Sequence, residues 1–162
     1  MGVLAASRME PSKIIVMSRH KTRQDLALTF GATHIVAERG EEGVARIMDL
    51  ADGIGADSVL ECVGTLESMN QAISVTRPGG SLGYVGAPHG VNLDGQKLFF
   101  AQVNMLGGPT PVRQYLPNLV GLILEREIEP GKVFDLALPL ADVAEGYRAM
   151  DERRAIKTLL LV

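Results

Sequence analysis

Short apolar runs alternate along this chain with stretches in which apolar residues recur every three or four positions. KIIVM at 13–17 is continuous and rich in Ile and Val, as a strand buried on both faces should be. Leu26, Ala27 and Phe30 mark one side of a helix over 21–30, which Gly31 stops. THIVA at 33–37 is the next strand. Val44, Ile47, Met48 and Ala51 follow the i, i+3, i+4, i+7 pattern of an amphipathic helix. DSVLECV at 57–63 predicts a strand, and Thr65 caps a helix carrying Met69, Ala72, Ile73 and Thr76. RPGG at 77–80 reads as a turn, followed by strand SLGYVG at 81–86. Beyond a loop at 87–95, LFFAQVNML at 98–106 reads as a strand that ends in Gly107-Gly108-Pro109. Leu116, Leu119, Val120 and Ile123 predict a helix, and VFDLAL at 133–138 a strand. Asp142 and Glu145 have capping-box spacing for a helix over 143–151, and IKTLLLV closes the chain as a strand.

Strands separated by single helices need crossover connections, so the pattern predicts a doubly wound α/β fold. Its parallel sheet carries helices on both faces, with a less regular tail after about residue 108. No internal repeat or low-complexity linker interrupts it.

Composition narrows the function classes. The chain has 162 residues, 46% of them apolar, with a mean hydropathy of +0.15, which excludes a disordered segment. A net charge of −3 leaves no general basic field for nucleic acid, and aromatics at 4% with no Trp leave no base-stacking platform. The one cysteine, Cys62, cannot form an internal disulfide, and no apolar run approaches the roughly 18 residues of a membrane span. No basic region followed by an apolar core opens the chain, so a cytoplasmic protein is the expectation.

Ligands of open parallel sheets bind beyond the carboxyl ends of the strands. Those ends carry Ser18-Arg19, Cys62-Val63-Gly64, Val85-Gly86 and Leu106-Gly107-Gly108. Glycine ends many strands simply to turn the chain, but three glycine-bearing ends on one predicted edge point to a groove for a flat ligand. The first end is unusual in charge. Nucleotide folds place an acid after the second strand to bind a ribose 2′-OH, or an Arg to accept a 2′-phosphate. Here the residues are Met17, Ser18, Arg19, His20 and Lys21, with Arg23 following and no acid among them. Cations at a helix start oppose the helix dipole by a few tenths of a kcal/mol each, and a bound anion would relieve them. The alternative is a solvated basic helix start. Other constellations fail. The three histidines are far apart and none pairs with Cys62 at metal-ligand spacing, and no Gly-x-Ser-x-Gly elbow occurs.

The order GATHIV, GADSVLECVGT, TRPGGSLGYVGAPHG, LGG and AEGYRAMDERRAIKTLLLV resembles the C-terminal, nucleotide-binding part of the zinc-type medium-chain alcohol dehydrogenase and quinone reductase family, from residue 2 onward. The resemblance implies a Rossmann-type fold and hydride transfer between a nicotinamide cofactor and an alcohol or carbonyl. It implies NADP(H) rather than NAD(H), with Ser18 and Arg19 at the adenosine ribose and its 2′-phosphate and Lys21 adding positive field. Cys62, Val63 and Gly64 would pass beneath the adenosine side and middle of the cofactor. Val85, Gly86 and Leu106 would flank the nicotinamide, Gly107 would belong to the cofactor site, and Lys157 would face the pyrophosphate. A homodimer formed near 98–106 is also implied.

The departures from the family pattern set further expectations. Family members begin with a barrel-like domain carrying the zinc ligands and a proton relay, and no such ligands or catalytic residues occur in this sequence. The family's first strand and Gly-x-Gly-x-x-Gly turn should precede residue 13. The residues before it are too few for a strand of about five, a turn and a helix of about eleven. The expected fold is thus a Rossmann-type sheet lacking its first strand and glycine loop. Residues 1–108 form an incomplete dinucleotide-binding domain, and 109–162 a tail that packs on the catalytic domain. The vacant central edge would close by direct pairing of neighbouring strands, by a strand from another chain, or by residues 1–8 becoming extended. The functional reading is the cofactor-holding portion of an oxidoreductase, inactive alone. The alternatives are a non-catalytic folded remnant that oligomerises or binds a nucleotide or partner weakly, and a methyltransferase-like fold in which the Ser18–His20 cluster has no role.

Overall fold

The computed structural model describes residues 1–85 and 87–162. In chain order the helices and strands are α1 (Gly2–Ser7), β1 (Ile15–Met17), α2 (Lys21–Thr29), β2 (His34–Val36), α3 (Gly40–Leu50), β3 (Ala56–Glu61), α4 (Leu66–Val75), β4 (Thr76–Tyr84), α5 (Gly95–Ala101), β5 (Asn104–Gly107), α6 (Val112–Leu124), β6 (Leu136–Pro139), α7 (Val143–Asp151) and β7 (Thr158–Leu161). The ladders form three sheets, β1-β2, β3-β4-β5 and β6-β7. The β3-β4, β4-β5 and β6-β7 pairs are parallel, each joined across a helix as the alternating pattern predicts. The chain divides into two compact units, residues Met1–Ile35 with Arg113–Val162, and Val36–Val112.

The second unit is built around β4. Ala72 and Ile73 of α4 and Leu82 of β4 are buried, with Val59, Leu98, Ala101, Val103 and Met105 packed against them. α4 starts as its sequence specifies: Thr65 Oγ1 accepts from Ser68 N at 3.2 Å, and Thr65 N donates to Ser68 Oγ at 3.1 Å. The RPGG turn lies within β4 as a bulge, because Ala56 faces Thr76 while Ser58 already faces Ser81. Arg77 Nε donates to Asp57 Oδ1 at 2.6 Å, and Asn104 Nδ2 donates to the carbonyls of Gly79 and Gly80 at 3.2 Å. A Cβ on Gly80 would meet the Arg77 carbonyl at 2.8 Å, so the bulge closes only on glycine.

The first unit buries Ala27, Phe30, Ile128, Ala149 and Ala155. Gly31, at φ +102°, ends α2 and lies so close to α1 that a Cβ would sit 3.1 Å from Ser7 Cβ. α7 packs on β6 and β7. Its Gly146 carbonyl accepts from Thr158 Oγ1 at 3.2 Å.

Several sequence expectations need correction. Of the three ways offered to close the vacant edge, extension of residues 1–8 is not taken, since α1 takes up Gly2–Ser7. The strand expected over 98–106 is helical in its first half. Asp94 Oδ1 accepts from Gln96 N (2.8 Å) and Lys97 N (3.3 Å), which starts α5, and Gln102 ends it in the left-handed region. Leu98 and Ala101 then face the core at i, i+3 while Phe99 and Phe100 stay exposed. The capping box at Asp142 does not form. Asp142 has φ −96° and ψ 20° and makes no side-chain cap bond. The Glu145 carboxylate instead receives Arg148 at 2.6 Å and Arg154 at 2.8 Å, and chiefly the Arg154 guanidinium holds it below the usual carboxylate range. The strand expected over 133–138 begins later, because Pro130–Val133 is a 3₁₀ turn.

Candidate functional site

The candidate residues divide between the two units. In the first unit β1 delivers Ser18 and Arg19 to the start of α2. Ser18 is 8% exposed; its hydroxyl accepts from His20 N at 3.4 Å, and its carbonyl accepts from Gln24 Nε2 at 2.6 Å. This fixes the turn and leaves Arg19 exposed, with no hydrogen-bond or ion-pair partner among the described residues. Lys21 is not free in the same way, because it pairs with Asp25 one turn along α2. A further cation reaches this turn. Arg153 Nη1 lies 3.2 Å from His20 Nε2, and since a guanidinium only donates, the imidazole nitrogen accepts. Arg153 has φ +62°, an unusual conformation for a residue with a side chain. Sequence reasoning missed it, because the two residues lie 133 positions apart. Lys157 stands just before β7; its N–H donates to Asp135 Oδ1 at 3.1 Å and its side chain is exposed.

In the second unit the sheet register brings the other candidates to one edge. Glu61 faces Tyr84, and Tyr84 faces Gly107. The carboxyl ends of β3, β4 and β5 therefore run out side by side. Cys62, Val63 and Gly64 follow β3, Val85 follows β4, and Leu106 with Gly107 closes β5. Val63, Val85 and Leu106 are 67%, 61% and 68% exposed, an apolar rim that water does not favour. Gly86 lies outside the described residues. Gly64 has φ +81°, so its turn requires glycine for conformation. Gly107 leaves open a space that Tyr84 takes: a Cβ there would lie 2.2 Å from Tyr84 Cε2 and Cζ.

Beneath the rim, Glu61 is 3% exposed. Its Oε1 accepts from Val63 N at 2.7 Å and Gly64 N at 3.0 Å, and its Oε2 accepts from Gly64 N at 3.0 Å. Its carbonyl accepts from Val85 N at 3.0 Å. Sequence reasoning gave this residue no role. The available sign was an acid two and three positions ahead of the Val-Gly that follows the strand. Loss of surrounding water, and next the Glu61 charge, push the Cys62 thiol up. Among the described residues no three His, Cys, Asp or Glu side chains gather as metal ligands, and no helix is long and apolar enough to cross a membrane.

Comparison with known proteins identifies relatives of the chain. A family model described as zinc-binding dehydrogenase matches residues 1–125. A probable zinc-binding alcohol dehydrogenase of Mycobacterium tuberculosis is 31% identical over 137 residues, which is 83% of this chain and 34% of that protein. The NADP-dependent isopropanol dehydrogenase of Entamoeba histolytica is 26% identical over 139 residues, 82% of this chain and 38% of its own. The solved apo structure of zinc-dependent alcohol dehydrogenase 2 from Streptococcus pneumonia superposes with a TM-score of 0.89 at 25% identity, over 99% of this chain and 48% of that one. The chain spans less than half the length of each of these relatives.

Proposed function

The chain belongs to the zinc-binding dehydrogenase family, and from that membership we propose that it holds the NADP(H) of an oxidoreductase acting on an alcohol or carbonyl. When bound, the nicotinamide supplies the chemistry by giving or accepting a hydride. This chain's residues bind and orient it. The flat, uncharged parts of the cofactor suit the rim of Cys62, Val63, Gly64, Val85, Leu106 and Gly107, where apolar side chains and glycine backbone are exposed together. Lys157 offers an exposed ammonium for a phosphate. Residues 1–108 belong to the dinucleotide-binding domain in this reading, and 109–162 pack on the catalytic domain. The family's zinc does not fit the described residues, so no step is assigned to it.

The observation that carries the choice of NADP(H) is Arg19, exposed and unpaired, beside a Ser18 fixed by two hydrogen bonds and with no acid in the turn. A charge-assisted bond to a 2′-phosphate contributes about 1.5–3 kcal/mol. Titration calorimetry of the chain and of Arg19→Ala tests this. NADPH affinity should fall roughly tenfold or more while NADH affinity holds. Equal affinity of the unaltered chain for NADH and NADPH would refute the assignment. We also propose a homodimer formed through the α5–β5 region, where Phe99 and Phe100 are exposed with their rings 5.4 Å apart. A monomeric mass by light scattering would exclude it.

A further inference from the structure

Successive backbone N–H groups just ahead of a helix form a concavity suited to an anion. Val63 N and Gly64 N are such groups, lying immediately before the Thr65 cap of α4. In this chain the concavity is already full, because the buried Glu61 carboxylate accepts from both at 2.7–3.0 Å. Among the described residues Glu61 has no cationic partner, so these N–H groups are what offsets its desolvation.

We infer that Glu61 is a positioning residue: its carboxylate fills the anion cradle ahead of α4, holds the Val63–Gly64 backbone in place, and keeps phosphate away from this part of the rim. The inference rests on the proposed cofactor role and adds a direction to it. Phosphate groups of the dinucleotide are excluded from the β3–α4 turn, which accepts only an uncharged portion. The exposed apolar side chains at the three strand ends, Val63, Val85 and Leu106, agree with this. The Glu61 carbonyl also ties Val85 N at 3.0 Å, so one residue positions two of the three strand ends.

Amide exchange and chemical-shift titration by NMR on the full chain test this with three proteins. In the unaltered chain the Val63 and Gly64 amides should be protected and should not respond to millimolar inorganic phosphate. Glu61→Ala should lose that protection and gain a phosphate response at both amides, their two acceptors having been removed. Glu61→Gln keeps an oxygen where Oε1 lies and should restore protection. Unprotected amides or a phosphate response in the unaltered chain would overturn the inference, as would unchanged protection in Glu61→Ala. If Glu61→Ala does not fold, Glu61→Gln and the phosphate titration of the unaltered chain still decide it. Absence of any NADPH response in an unaltered chain with protected amides would instead count against the cofactor reading.

Discussion

Tyr84 and Gly107 sit opposite one another across two parallel strands, and the tyrosine ring covers the glycine. Gly107→Ala would force that ring aside and should cost about 1–3 kcal/mol by overpacking. A thermal-melt cycle with Tyr84→Ala checks this, because the double variant should recover much of the loss. Cys62 gives a second test at this scale. Its folded thiol is raised, so the folded state keeps its proton to higher pH than the unfolded chain does. As pH rises, the unfolded thiol ionises first, and the stability contributed by this group declines. Iodoacetamide should alkylate Cys62 more slowly in the folded chain than in urea, with the pH midpoint moved upward. The apolar candidates of the rim were legible because each ends an apolar run. Glu61 and Arg153 were not, since their roles depend on a turn conformation and on a contact between distant segments.

Among the elements, α4 shows where local sequence suffices. Thr65 and Ser68 satisfy each other's backbone, and the buried Met69, Ala72, Ile73 and Val75 fall on one face. Thr65→Ala should remove about 1 kcal/mol, read as a lower urea midpoint with an unchanged slope. The α5 and α7 starts show where it does not suffice. Asp94 caps a helix that its following Leu-Phe-Phe disguised as strand, and Asp142 has capping spacing without capping geometry. Period and spacing are necessary conditions, and the backbone angles at the cap decide. α6 is a related case. Leu116, Leu119, Val120 and Ile123 keep helical spacing across Pro117, yet no residue of α6 is buried. An apolar stripe reports a helix, not what covers it.

For the molecule as a whole, the α/β class and nearly every element follow from periodicity, because a two-residue period and a 3.6-residue period leave different traces. How the strands divide into three ladders could not be read that way. Ladder membership is fixed by pairing between residues far apart in sequence, and β1 and β2 are only three residues each. The bulge inside β4 was likewise hidden, because RPGG reads as a plain turn unless Asp57 and Asn104 are known to hold it.

The second compact unit is one unbroken length of chain, whereas the first is made from two lengths on either side of it. This arrangement imposes an order on biosynthesis. Residues 36–112 emerge from the ribosome ahead of the 113–162 segment that residues 1–35 need. The inner stretch can thus complete its own packing while the outer one waits half-made. On nascent chains stalled once residue 112 has just cleared the ribosomal exit tunnel, proteolysis should spare the inner stretch and cut within residues 1–35.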